Sequence, residues 1–325
     1  MVTLILVFLS IFCASIPMVL FLAAIWWLDR YDREPIPLVA ATFIWGAGGG
    51  VALAIVGSVI GSTVLQLAVG QSSANILSPV VIAPLFEEPT KALVLFLVAR
   101  SKHFDNTTDG FVYGAAAGLG FGMTENFMYF TQIAMSGSVL AWAQNVFART
   151  FYSAIMHATA TAFVGAAIGW SRWRRIEIHL LAIVGGFAVA MGIHALWNGL
   201  LVVDQFTWIS TAQLNFLLFP LEAATIIGLF LACVWSEKRV IRRHLTAEAR
   251  AGTLPLQHVP ILTSYIRRGK RGWLQPPISQ EDYVKTATKL AFRLEQSQTA
   301  PAKKRQSYVN EANELRTRLR SMLSG

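Results

Sequence analysis

The sequence predicts an all-α protein in which about seven helices cross a membrane and a basic helical tail follows them. Two observations carry this prediction. First, 54% of the 325 residues are hydrophobic and only 14% are charged, whereas a soluble domain carries about 25% charged residues. Second, apolar runs near or above the ~20 residues that a helix needs to cross a bilayer follow one another along the chain.

The runs cover residues 2–28, 38–69, 76–99, 110–131, 145–170, 179–203 and 213–235. No lysine or arginine precedes the first run, and the run is longer than the apolar region of a signal peptide, so we expect it to be a retained span. In the fourth run a glycine recurs every four residues, at Gly110, Gly114, Gly118 and Gly122. Such a face predicts a close approach between two helix backbones.

The charge is distributed unevenly between the two ends of the chain. From Glu237 onward there are 18 lysines and arginines and 7 acids, a net charge of +11, while the preceding residues carry −2. The sequence therefore predicts a membrane domain at 1–236 and a basic tail at 237–325, with helices at 280–296 and 304–323. We expect the tail to meet water and anionic lipid headgroups, and we expect no nucleic-acid partner.

The loops between the runs predict the orientation. Basic residues follow the third, fifth and seventh runs, and none occur in the loops after the second, fourth and sixth. Cytoplasmic loops carry the excess of lysine and arginine. The pattern therefore places the amino terminus outside and the tail in the cytoplasm.

A charged stretch lies inside the third run. Glu87, Glu88 and Lys91 stand where lipid is expected, and each central charge costs about 2.5–3.5 kcal/mol on insertion scales. Lys91 is three and four residues from the two carboxylates and can pair with either, and Pro89 permits a kink. The stretch is either a self-neutralised cluster that holds helices together or, as is usual for such residues, a functional site.

Polar residues also lie inside the fourth, fifth and sixth runs. They are Glu125 and Tyr129, then His157, then His194 and Asn198. At a rise of about 1.5 Å per residue, Glu88 and His157 lie about 18 Å, His194 about 14 Å and Glu125 about 9 Å from the outer ends of their runs. This shared depth predicts that the residues face one cavity.

Hydrolysis is the chemistry that these residue types offer, because a carboxylate in a dry cavity can accept a proton from water. Two mechanisms stay open. In the first, His157, His194 and one carboxylate of the pair Glu87 and Glu88, with Glu88 as the first choice, hold a zinc ion and the other glutamate is the base. In the second, no metal is used, a glutamate is the base, and histidine and Asn198 stabilise the oxyanion. The predicted catalytic residues are Glu87, Glu88, Glu125, His157, His194 and Asn198, supported by Lys91 and Tyr129.

Two further polar residues in the spans have weaker signals. Glu222, two residues after Pro220 in the last run, either serves the same cavity or only packs. Arg149 lies one turn inside the fifth run, so we expect its side chain to extend outward to the interface as a structural residue.

Several of these motifs occur together in one known family. Glu87 to Lys91 fits an EExxK motif, Glu125 to Tyr129 fits an ExxxY motif, and two intramembrane histidines follow. With the loop at 29–35, the combination resembles the PrsW family of bacterial intramembrane proteases. It is similar more distantly to the type II CAAX prenyl endopeptidases, whose HxxxN-type spacing His194 and Asn198 share. The resemblance covers about residues 27–235 and leaves the tail outside.

The resemblance implies a multi-pass protease of the bacterial inner membrane. Its substrate would be a membrane-anchored protein such as an anti-sigma factor, cut on the extracytoplasmic side. Glu87 and Glu88 would be the essential acidic pair, with Glu125, His157 and His194 around them. The resemblance leaves the metal open, because the family is labelled as metallopeptidases while its distant relatives are treated as metal-free glutamate proteases.

Two other classes of function use similar features. An ion-coupled transporter also needs buried carboxylates and broken helices, but it predicts internal repeats, which the sequence does not show. A non-catalytic membrane scaffold acting through the basic tail leaves the buried glutamates and histidines without a role.

Overall fold

The computed structural model describes residues 1–101, 103–203, 211–275 and 277–324, and within these ranges every regular element is helical. Contacts divide the chain into two compact units. Unit 1 comprises Met1–Leu28, Glu34–Ser171 and Glu177–Phe230, and unit 2 comprises Asp29–Arg33, Arg172–Ile176 and Leu231–Gly325. The predicted all-α membrane bundle is confirmed.

The long helices of the first 250 residues include three that continue through a π-helical turn. The uninterrupted helices are α1 (Val2–Leu28), α6 (Thr107–Ala134), α9 (Ile176–Val203) and α10 (Thr211–Arg250). The interrupted ones are α2 (Ile36–Trp45) with α3 (Val51–Val69), α4 (Gln71–Leu77) with α5 (Ala83–Val98), and α7 (Val139–Ala148) with α8 (Ala154–Ser171). Their π-helical turns are Gly46–Gly50, Ser78–Ile82 and Arg149–Ser153.

Fewer helices than predicted are strongly apolar. Among the described residues, five helices are long and apolar enough to cross a membrane: Val2–Leu28, Ile36–Val69, Val139–Ser171, Ile176–Val202 and Phe219–Arg250. The predicted third and fourth spans, on α4–α5 and on α6, are not among these five helices. Helix α6 is buried along most of its length, so protein surrounds it and it can carry glycines and polar residues. Helix α5 carries the charged stretch.

Helices α6 and α8 touch through their backbones. A Cβ added at Gly114 would lie 2.5 Å from the carbonyl oxygen of Thr161, and one added at Gly118 would lie 2.2 Å from that of His157. These distances are too short for any side chain, so the predicted close approach is confirmed and requires glycine. The contact holds His157 beside the part of α6 that leads to Glu125.

Unit 2 has a hydrophobic core of its own, which the prediction of a solvated tail did not include. Besides the end of α10 it contains α11 (Val259–Leu262), α12 (Gln280–Thr299) and α13 (Ala302–Ser324), which confirm the two helices predicted in the tail. Apolar residues of α12 such as Tyr283 and Leu290 are fully buried, and Tyr31 from the first loop joins them. Arg316 forms a two-pronged ion pair with Glu248 that links α13 to α10.

Candidate active site

Helix α5 places the charged residues of the EExxK stretch in different surroundings. Glu88 and Lys91 are fully buried, while the Glu87 side chain is 14% exposed. Lys91 Nζ lies 2.7 Å from Glu88 Oε1 and 3.4 Å from Glu87 Oε2. The pairing expected from the spacing is confirmed, and it supplies one cation for two carboxylates.

Lys91 also contacts α8. Its Nζ lies 2.9 Å from His157 Nδ1 and 4.1 Å from the centre of the Phe121 ring. An ammonium group donates three hydrogens, and its three acceptors here are Glu87, Glu88 and His157. His157 Nδ1 is therefore the accepting nitrogen, and the hydrogen-bond network assigns the ring hydrogen to Nε2.

His157 continues the network to α6. Its Nε2 donates to Glu125 Oε2 over 2.6 Å, and Arg149 Nη2 donates to the same oxygen over 2.8 Å. The Arg149 guanidinium lies 3.8 Å above the Tyr129 ring, and its Nε donates to Asn126 Oδ1 over 3.0 Å. One arginine thus contacts three residues of the ExxxY stretch.

The predicted outward position of Arg149 is wrong. Its side chain is buried and points toward Glu125. Arg149 is the first residue of a π-helical turn, and such a turn changes the phase of the helix relative to regular spacing. The signal available in the sequence was an arginine inside an apolar run, because a buried guanidinium needs a counter-ion.

Helix α9 contributes His194, which Glu88 holds in place. His194 Nδ1 lies 2.8 Å from Glu88 Oε1, and its Nε2 lies 3.7 Å from Glu87 Oε2. The rings of His194 and His157 are 5.2 Å apart and nearly perpendicular. The other oxygen of Glu88 accepts from Thr161 Oγ1 over 3.2 Å. Glu88 is therefore satisfied by residues of its own helix and of α8 and α9.

We call Glu87, Glu88, Lys91, Glu125, His157 and His194 the Glu–His cluster. The prediction omitted Thr161, although it follows His157 by four residues and so lies on the same face of α8. The spacing from a suspected site residue was the signal that could have found it.

Two predicted candidates make their contacts elsewhere. Asn198 Nδ2 donates to the carbonyl oxygen of Pro79 over 2.7 Å, at the π-helical turn before α5. Glu222 lines a separate cavity of about 100 Å³ with Thr159 and Trp197. Among the described residues, neither Asn198 nor Glu222 forms a hydrogen bond or ion pair with the Glu–His cluster. In this structure the Asn198 side-chain amide bonds to the backbone of Pro79, whereas the prediction gave it a role in stabilising the oxyanion.

A cavity of about 300 Å³ adjoins the cluster. Of the cluster residues, Glu87 and Glu125 line it. Helices α3 and α6 supply the other lining residues, which are mostly apolar but include Ser58 and Gln132. Within the described chain, the Ser58 hydroxyl has no hydrogen-bond partner. A molecule that enters this cavity meets the two carboxylates directly.

The comparison with known families covers this same segment. A family model described as "PrsW family intramembrane metalloprotease" matches residues 34–225, which is more than half of the chain and includes the whole cluster. The chain belongs to the PrsW family. The resemblance inferred from the motifs is confirmed.

One curated relative also matches. Protease PrsW of Clostridioides difficile strain 630 is 31% identical over 103 residues, which are 31% of this chain and 42% of the relative. The match thus spans less than half of that protease. No solved structure matches the chain significantly.

The description of the PrsW family implies a metal, and the cluster contains a donor set for one. Glu87, His157 and His194 each place a ligand atom within 4.8 Å of the others. One carboxylate and two imidazoles leave the fourth position of a catalytic zinc site for water. Glu88 accepts from Nδ1 of His194, which is the outer contact that typically orients a metal-bound histidine.

The prediction took the carboxylate ligand from the pair Glu87 and Glu88, with Glu88 as the first choice. The structure encloses Glu88 among hydrogen-bond donors and groups Glu87 with the two histidines. Both ring nitrogens of His157 have partners, Lys91 and Glu125. The residues therefore fit a metal on one condition, that the ion replaces one of these contacts. Glu125 is the exchangeable partner, because it lines the cavity.

Proposed function

We propose that this chain is an intramembrane endopeptidase that hydrolyses a peptide bond of a membrane-anchored protein. The observation that supports this most is the convergence of three glutamates and two histidines from four helices beside one cavity. Charged groups inside a membrane are costly, so those that are present usually mark a functional site. The family match over the same residues supports the same activity.

We assign the direct catalytic role to Glu87, because it is the member of the acidic pair that lines the cavity. Glu87 takes a proton from the attacking water and returns it to the leaving amine as the C–N bond breaks. Glu88 positions His194 through Nδ1, and Lys91 fixes both carboxylates. These roles describe the metal-free mechanism.

The alternative mechanism uses the same residues with a metal. A zinc ion held by Glu87, His157 and His194 would polarise the peptide carbonyl and activate a water molecule. Glu125 would then be the cavity carboxylate left to take the proton, with Arg149 holding it in place. Glu88 would orient His194 as before.

The cavity lining supports a single-span protein as the substrate. Apolar residues such as Val51, Ile55 and Met128 suit the side chains of a membrane segment, and Ser58 and Gln132 can bond to its unwound backbone. An anchored regulator of the anti-sigma-factor type is the substrate class that we infer from the family. We further propose a bacterial inner-membrane location, with the amino terminus outside and the basic tail against anionic headgroups in the cytoplasm.

The test is a cleavage assay with the purified full-length chain and a set of single-span proteins in liposomes. We expect wild type to cleave at least one of them and Glu87→Gln to cleave none. Glu222→Gln is the matched control, because it makes the same chemical change at a carboxylate that lines a separate cavity. Cleavage by Glu87→Gln at the wild-type rate would refute the assignment.

Elemental analysis with activity before and after a strong chelator separates the two mechanisms. About one metal per chain, and loss of activity on its removal, would support the Glu87, His157 and His194 ligand set. Full activity with less than about a tenth of a metal per chain would leave the metal-free mechanism.

A further inference from the structure

Unit 2 contains a cavity of about 770 Å³. Three segments of this unit line it: the first loop, the turn around Arg268 and the first turns of α12. Ligand sites in proteins typically measure about 300–1,000 Å³. The cavity therefore has the size of a binding site for an organic ligand.

The lining is strongly cationic. Five basic side chains line the cavity, and two acidic ones, Asp32 and Glu281, offset them only in part. The basic residues are Arg30, Arg33, Arg268, Arg271 and Lys285. A concave surface of one charge sign concentrates ligands of the opposite sign.

Arg268 is the buried member of this set, with 5% of its surface exposed. Its Nη2 donates to Thr288 Oγ1 over 2.6 Å and to the carbonyl oxygen of Tyr31 over 3.3 Å. Its Nη1 is buried and has no hydrogen-bond partner among the described residues. Burial lowers the pKa of the Arg268 guanidinium to about 10, and Tyr31 and the nearby carboxylates raise the pKa by less. A buried cation with an unused donor favours an anionic partner.

The structure around Arg268 is fixed independently of any ligand. The Gln280 side-chain amide donates to the carbonyl oxygens of Arg268 and Lys270, over 3.3 and 2.7 Å, and so ties the turn to the start of α12. The Arg30 guanidinium lies 5.1 Å from the centre of the Tyr265 ring. These contacts hold cationic groups on two segments of the cavity wall in place before binding, which reduces the entropy cost of binding.

Arg271 and Lys285 complete the set from the exposed side. Both are exposed, and within the described ranges neither has a hydrogen-bond or ion-pair partner. We propose that this cavity is a binding site for a phosphate-bearing anion, which Arg268 contacts from the wall and Arg271 and Lys285 contact from the mouth. Phosphate oxygens accept paired hydrogen bonds from the N–H groups of arginine, and the lysine ammonium attracts them as a compact positive charge. The site is separate from the proposed peptidase chemistry and does not depend on it.

The anion can be a soluble phosphate compound or the headgroup of an anionic lipid. Two probes separate these sources. Inorganic pyrophosphate is titrated into the full-length chain in a non-ionic detergent at constant ionic strength. In parallel, the chain is placed in nanodiscs of phosphatidylcholine with or without phosphatidylglycerol. Thermal unfolding is measured in both arms and gives the affinity from the shift of the midpoint.

Arg271→Gln and Lys285→Gln are the test variants, because both side chains are exposed and we expect the fold to tolerate their replacement. Arg318→Gln is the control, since it removes the same charge from an exposed site on α13 outside the cavity. We expect each test variant to weaken binding by about tenfold or more, the loss of one charge-assisted hydrogen bond, and the control to match wild type.

A selective loss in the pyrophosphate arm assigns the site to a soluble phosphate, and a selective loss in the phosphatidylglycerol arm assigns it to a lipid headgroup. The proposal is overturned if neither probe shifts the wild-type midpoint. It is equally overturned if Arg271→Gln and Lys285→Gln respond like Arg318→Gln in both arms.

Discussion

Glu87 and Glu88 are adjacent in the sequence, but their side chains meet different surroundings. Glu88 accepts hydrogen bonds from Lys91, His194 and Thr161 and is fully buried. Glu87 lines the cavity, and its carboxylate contacts among the described residues are longer, 3.4 Å to Lys91 and 3.7 Å to His194. At the scale of single residues, the structure thus divides the acidic pair into a carboxylate that lines the cavity and one that is enclosed by its hydrogen-bond partners.

We expect Glu87→Gln and Glu88→Gln to differ in stability. Glu87→Gln should abolish cleavage and cost less than about 1 kcal/mol, because its ion pair is long and partly exposed. Glu88→Gln should lower activity and also cost about 3 kcal/mol, because it removes the shorter counter-charge of buried Lys91. Turnover and thermal unfolding of both purified variants are the measurements. A Glu88→Gln protein as stable as wild type would contradict the positioning role.

Arg149 should act through Glu125. Arg149→Met leaves the Glu125 carboxylate without its cation, so we expect a loss of about 2–3 kcal/mol of stability and at least about tenfold in turnover. Arg149→Lys restores the charge but not the contacts with Asn126 and the Tyr129 ring, and should recover only part of both losses. Arg100→Met, at an exposed position, is the control. Equal behaviour of Arg149→Met and Arg100→Met would show that the ion pair is dispensable.

At the scale of helices, the π-helical turns and the glycine face of α6 build the site. Thr124, next to Glu125, donates to the carbonyl oxygen of Ala47 in the first π-helical turn over 2.7 Å. Trp45, which precedes that turn, donates to the carbonyl oxygen of Thr90 over 3.0 Å. Wide turns of this kind are frequent at functional sites, and here they tie irregular backbone to the helices that carry the cluster.

Gly118→Ala tests the backbone contact between α6 and α8. The new Cβ would lie 2.2 Å from the His157 carbonyl oxygen, so the helices must separate. We expect a loss of about 1–3 kcal/mol, the usual cost of overpacking, and reduced turnover because His157 moves. Gly185→Ala on α9 is the matched control, since nothing lies within 4 Å of its added Cβ. That variant should be neutral or gain up to about 1 kcal/mol. Wild-type stability of Gly118→Ala would refute the tight contact.

At the scale of the whole molecule, unit 2 gathers three separate segments of the chain. The loops at Asp29–Arg33 and Arg172–Ile176 belong to the same compact unit as the residues from Leu231 onward. These are the segments after the first, fifth and last predicted spans. A compact unit with a single core cannot lie on both sides of a bilayer, so we expect all three segments on one side, the cytoplasmic one.

Cysteine labelling tests this orientation. In a chain with Cys13→Ser and Cys233→Ser, a membrane-impermeant maleimide should label Ser136→Cys in intact cells. It should label Arg174→Cys and Gln306→Cys only after the cells are opened. All three positions are exposed in the structure. Labelling of Arg174→Cys and Gln306→Cys from opposite sides would disprove a common location, and labelling of all three from one side would disprove the predicted number of crossings.

The sequence by itself determined the features that depend on local spacing and on hydropathy. An apolar composition and long apolar runs predicted the helical membrane bundle, because a helix must satisfy its backbone internally in lipid. Glycines every four residues predicted the close face of α6, and the tail helices followed from their apolar period. Charged and histidine residues inside apolar runs predicted that Glu87, Glu88, Glu125, His157 and His194 come together, because such residues are costly in lipid and usually mark a functional site.

Only the tertiary structure decided which of these side chains meet. Three features depend on the phase of helices that π-helical turns shift. They are which glutamate of the acidic pair lines the cavity, where Arg149 points and what Asn198 contacts. The core of unit 2 depends on Tyr31, more than 200 residues away from its contact at Thr263. Spacing along one helix fixes the neighbours on that helix, but a site assembled from four helices is set by how those helices pack against each other.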